Sequence, residues 1–170
     1  MNIVQSFESI VQIMKACIEK EMETGGILED VNTFIPAYTH ESVVDEPVIW
    51  MTQHPSTAER QADISQKMEL ITPFEFDCAV YASEIEDAEM QTQNLTTRVV
   101  LAVVKNYIAV QKELFGGRII KRIGLETYYP VGDVQIQGKS DRLPATGVVL
   151  NVVHIIDWVT CCKKLEKNRE

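Results

Sequence analysis

Acyl transfer or hydrolysis by a side chain needs a Ser, Thr or Cys nucleophile beside a base that is itself held in place. This chain of 170 residues has three histidines that could be that base: His40, His54 and His154. His40 and His54 flank the apolar segment Pro47-Val48-Ile49-Trp50-Met51 in acidic and turn-like sequence, where imidazoles are ordinarily solvated. His154 alternates with Val152 and Ile156 inside a strand pattern, without the Cys or carboxylate neighbours of a ligand set, and reads as a hydrogen-bonded core or interface histidine. Cys17, Cys78, Cys161 and Cys162 contain no C-x-x-C, which suits buried reduced thiols rather than a disulfide frame or a zinc site. Glu84, Glu86, Asp87 and Glu89 lack the spacing of a calcium loop and instead place negative charge where a helix start favours it. Gly116-Gly117 fits no phosphate-loop or dinucleotide pattern and ends a helix rather than opening one. The expectation is a protein that is not an enzyme and holds no cofactor or metal.

Charge narrows the partners. Sixteen Lys and Arg against 25 Asp and Glu give a net charge of −9, the wrong sign for a general grip on phosphates. The basic clusters Arg118, Lys121, Arg122 and Lys163, Lys164, Lys167, Arg169 have no interleaved aromatics and read as solvated edges. The longest apolar run, Val99 to Val104, is far shorter than the ~20 residues of a membrane span, and no charged-then-apolar leader precedes residue 20, so a cytosolic protein is expected.

The elements that would position these residues follow from periodicity. Val4, Phe7, Ile10, Val11, Met14, Cys17, Ile18 and Met22 recur every three or four residues, an amphipathic helix ended by Gly25-Gly26. Residues 27–46 show no clean period, and 47–53 reads as a short strand with proline at its entry. Ser56 three residues before Glu59 predicts a helical turn over 57–65. Met68, Leu70, Thr72, Phe74, Phe76, Cys78, Val80 and Ala82 alternate with Glu69, Glu75 and Asp77, a long strand with one wet face. Its Pro73 belongs at a bulge or where that backbone edge has no partner. A helix from about 84 to 115 follows, continuous or restarting at Thr92 or Asn94.

Residues 118–129 predict a third strand closed by Pro130, and 132–147 an exposed, mobile loop. The closing segment, 146–162, is apolar on both faces and is either central or covered on its second face by a partner. Two strands before a helix and two after predict an α+β two-layer sandwich. It would have about four strands in a mostly antiparallel sheet, with two main helices on one face in the order α-β-β-α-β-β. Residues 1–162 would form one domain and 163–170 a frayed charged tail.

The leading helix Val4 to Met22, the Pro47-Val48-Ile49-Trp50 strand, the Pro55-Ser56 turn, the Phe74-Glu75-Phe76 strand, the helix ending at Leu114-Phe115-Gly116-Gly117 and the closing strand together carry a resemblance. Over roughly residues 1–162 the pattern resembles the tail terminator or tail completion family of long-tailed bacteriophages, also described as minor tail or head-to-tail joining proteins. The resemblance implies a structural virion subunit of the tail or neck, assembled in the host cytoplasm. It would form a hexameric ring that caps the tail tube protein and meets the head–tail connector protein, with DNA passing through without specific binding. Partner contacts would then fall on Trp50, His54, Ser56, Arg60, Asp133, Lys139, Arg142, His154 and Trp158. The closing strand has more apolar area than an isolated molecule covers, so copies should join edgewise along it. The competing expectations are a non-catalytic module whose sheet holds a peptide or small ligand, and an enzyme built on His154 or a cysteine.

Overall fold

Along α1 (Ile3–Met22) the residues spaced by three and four, Ile10, Ile13, Met14, Cys17 and Ile18, are all fully buried. The computed structural model of the chain describes residues 3–36, 46–58, 67–81, 85–135 and 142–157. Past α1 the chain reverses at Gly25, whose φ of 86° is left-handed, and Gly26, where a Cβ would lie 2.2 Å from the Glu21 carbonyl oxygen. The returning segment is pinned by Arg98, whose guanidinium donates to the Ile27 carbonyl and to both carboxylate oxygens of Asp30.

Six strands form one mixed sheet. They are β1 (Thr33–Ile35), β2 (Val48–Gln53), β3 (Thr57–Ala58), β4 (Lys67–Ala79), β5 (Ile120–Gln135) and β6 (Arg142–Asp157). The order across it is β1-β2-β4-β6-β5, and β3 pairs β4 off that path. β1 runs parallel to β2, and every other pair is antiparallel. A continuous helix, α2 (Ile85–Phe115), packs with α1 over one face. That face supplies the core: Phe74, Phe76 and Cys78 of β4 and Val148, Leu150 and Val152 of β6 are fully buried with Leu95, Val99 and Val103 of α2. The opposite, second face has a smaller cluster at one end, Val48, Ala79 and Ala145 with Ile35 and Trp50.

The class is α+β as expected, but the four-strand sheet and the order α-β-β-α-β-β are overturned; the observed order is α-β-β-β-β-α-β-β. The two additional strands are three and two residues long, too short to display a period of two. β3 stands where a helical turn was expected to begin. Ser56 directs its hydroxyl to Thr72 Oγ1 (2.5 Å), and Thr57 and Ala58 lie opposite Ile71 and Leu70. α2 shows no break at 91–94, because Thr92 and Thr96 turn their hydroxyls into the protein, to the Pro144 and Thr146 carbonyls of β6.

Pro73 sits at no bulge. Its carbonyl accepts from the His54 N–H (2.9 Å) just past the end of β2, so its missing donor faces a point where the ladder has ended. The predicted loop over 132–147 is a β-hairpin in its described parts, with Asp133 opposite Pro144 and Gln135 opposite Arg142. Pro130 does not close β5, because β5 is the last strand of the sheet and an edge strand tolerates a missing donor. β6 is central, as one of the two alternatives had it. With both edges paired to β4 and β5, it cannot be the strand along which copies join.

Candidate functional site

The sheet's one long free edge among the described residues is β5, 16 residues with three register irregularities that twist it. On the helix side of β5, Leu125 is opposite Leu150 and Tyr128 opposite Val148, yet both lie beyond the cover of α2, and Leu125 is 54% exposed. α2 adds an outward stripe at helical spacing: Leu101, Val104 and Ile108, the last 60% exposed. Its other flank is used within the molecule. Lys105 and Asn106 reach the buried Glu21 carboxylate of α1, at 2.9 Å and 2.6 Å, and these contacts hold Glu21 down to about 2.

On the second face, four polar side chains from three elements meet in a row. His54 follows β2, Glu75 and Asp77 project from β4, and Tyr129 comes from β5. His54 Nε2 is 2.5 Å from Glu75 Oε2, the Tyr129 hydroxyl donates to Glu75 Oε1, and the same hydroxyl lies 3.1 Å from Asp77 Oδ1. Tyr129, Gly147 and Asp77 are aligned across β5, β6 and β4. Only a glycine at the middle position lets the phenol pass, because a Cβ on Gly147 would lie 2.3 Å from the Tyr129 ring and 2.6 Å from Asp77 Oδ1. Burial, then the neighbouring Glu75 carboxylate, pushes Asp77 up to about 6. Burial and the two carboxylates raise the Tyr129 phenol as well.

The expected contact residues fall in different settings. Trp50 is half-buried on the second face with Val48 and Ala79. His54 is half-exposed but paired with Glu75, so it is not simply a solvated loop imidazole. Ser56, half-buried, reaches through Thr72 to His154, whose Nε2 is 2.9 Å from Thr72 Oγ1. His154 has no exposed surface, stacks edge-on against Phe7 and is pushed down to about 4 by burial, which makes it a core residue and not a contact surface. Asp133 and Arg142 lie in the β5–β6 hairpin. Arg60, Lys139 and Trp158 lie outside the described residues.

Cys17 and Cys78 are buried thiols pushed up to about 12 by desolvation, a protonated state in which neither attacks an electrophile. Glu75, Asp77 and Tyr129 were not among the expected site residues. Their only signal was the polar alternation of β4, and nothing local links that to Tyr129, more than 50 residues away. Compared with protein-family models and with curated proteins, the chain matches none.

Proposed function

We propose that the chain is a structural virion protein, a tail terminator or completion subunit. In this reading copies form a hexameric ring that caps the tail tube protein and joins it to the head–tail connector protein. The observation that carries it is the β5 edge, free among the described residues, with Leu125 and Tyr128 exposed on its helix side, on the same side of the sheet as the outward stripe Leu101, Val104 and Ile108. A long strand edge with apolar flanks invites pairing with another chain, and head-to-tail use of such an edge gives a ring where the rotation from copy to copy closes. The net charge of −9 suits a passage that DNA traverses without sticking.

The test is native mass spectrometry and negative-stain electron microscopy of the purified full chain, alone and with isolated tail tubes. Rings, alone or on tube ends, are the expected result, and a strict monomer at high concentration that also ignores tail tubes overturns the proposal.

A second reading, a non-catalytic ligand-binding module, is favoured by a cleft of about 450 Å³ between α1 and the turn into β5, lined by Glu8, Gln12, Phe115, Arg118 and Ile119.

A further inference from the structure

We infer that Asp77, Tyr129 and Glu75 form a proton-binding latch that holds the β5–β6 hairpin arm against the sheet, and that loss of its proton frees the arm. The phenol oxygen of Tyr129 has one hydrogen, yet it contacts two carboxyl groups, Glu75 Oε1 and Asp77 Oδ1. An ionised carboxylate only accepts. With both acids ionised, one contact would set lone pairs against lone pairs in a half-buried site. With Asp77 protonated, every contact has a donor: Asp77 to the phenol oxygen, the phenol to Glu75, and His54 Nε2 beside the other Glu75 oxygen.

The groups facing this proton are accounted for on each side. β4 presents Glu75, the segment after β2 presents His54, β5 presents Tyr129, β6 presents Gly147 with no side chain, and β2 places Trp50 opposite Asp77 and Thr52 opposite Glu75. Burial beside Glu75 raises the Asp77 carboxyl, in agreement with the count.

The latch sits where leverage is greatest. β4 ends at Ala79, opposite Ala145, and beyond that point residues 132–135 and 142–144 have no strand partner but each other among the described residues, with one further tie from the Thr92 hydroxyl of α2 to the Pro144 carbonyl. The arm's root has a bulge between Pro130 and Gly132, and Gly132 has a φ of 90°. Tyr129 is the residue just before this bend, and its hydroxyl is a tie from the β5 side of the arm to a strand two positions away. The inference concerns a single copy and stands whether or not copies associate.

The experiment is hydrogen exchange of the full chain between pH 4 and pH 7, read as protection factors at arm amides such as Val134 and Leu143 relative to α2. Raising Asp77 from 3.8 to about 6 is about two tenfold steps, so arm protection in the wild type is expected to fall about a hundredfold across that range. Asp77→Asn, whose amide donates at every pH, should stay protected throughout, and His54→Gln should keep the step. Tyr129→Phe should be unprotected at both ends. Arm protection that is flat in the wild type, a step that persists in Asp77→Asn, or a step abolished by His54→Gln overturns the latch. Should Tyr129→Phe fail to fold, a carbon-13 titration of the wild-type Asp77 carboxyl decides: a midpoint near 6 supports the latch and one near 3.8 overturns it.

Discussion

The hydroxyl of Tyr129 on β5 lies 3.1 Å from the carboxylate of Asp77 on β4, although β6 runs between them. The contact exists because Gly147 leaves the middle position without a side chain. It couples an edge strand to the inside of the sheet on the face opposite the helices, and it makes a glycine in a central strand a packing requirement.

Gly147→Ala should therefore push the phenol off β6. The added methyl would approach the far end of a side chain that can swing away, so the expected cost is about 1–2 kcal/mol, the lower part of the range for overpacking. Urea denaturation of Gly147→Ala, Tyr129→Ala and the double variant measures it. The alanine at 147 should cost clearly less once Tyr129 is gone, since the two changes remove the same contact.

Stability against pH should show two opposed contributions. His154 is lowered from 6.5 to about 4, so the unfolded chain takes up its proton first and stability is lost as pH falls from 6.5 to 4, by up to about 3 kcal/mol. Asp77 is raised from 3.8 to about 6, so the native state holds its proton longer, and stability is lost as pH rises through 3.8 to 6. In the wild type these partly cancel between pH 4 and 6. Asp77→Asn should steepen the acid loss and His154→Gln should reverse its sign in that window, both read from denaturation midpoints at a series of pH values.

Glu21 ties the two helices. It is buried, accepts from Asn106 and Lys105, and also accepts from the Ile27 backbone N–H at 3.2 Å. Glu21→Ala leaves the Asn106 amide with only its bond to the Ala102 carbonyl and removes the Glu21 bonds at once, with an expected loss of about 2–4 kcal/mol by thermal or urea unfolding. The native carboxyl is lowered from 4.5 to about 2, so its stabilisation is present above 4.5 and lost as pH falls toward 2. The Glu21→Ala variant should lack that part of the acid transition.

Leu101→Lys combined with Ile108→Glu changes exposed positions, so the monomer's stability should move by no more than about 0.5 kcal/mol. Sedimentation velocity should nevertheless show loss of self-association. Substitution of Lys15 and Glu19 of α1, an exposed i,i+4 pair, should leave association intact.

Much of the frame was legible. The stripe of α1, the alternation of β4 with Glu75 and Asp77 on its outer side, and the long helix to Phe115 depend on near-neighbour spacing, which a sequence displays directly. The largely apolar character of both faces of β6 fitted either a central strand or one covered by a partner, and the pairing with β4 and β5 decided for the first and against copies joining along it. The short strands β1 and β3 were not legible, since two or three residues hold no period and their pairing is decided by β2 and β4. Nor was the hairpin over 132–135 and 142–147, whose glycines and prolines carry the signals of a loop while each strand is held by the other.

What composition and periodicity settled alone was the α+β class, the net acidic charge and which residues of α1 and β4 face inward, whereas on α2 the apolar residues Met90, Ile108 and Leu114 are exposed. What only the tertiary structure decided was which strand lies at the edge and which side chains meet across it. Strand order and the meeting of Tyr129 with Asp77 depend on contacts between residues more than 50 positions apart, and the energy of such contacts exists only once the intervening chain has been brought back alongside.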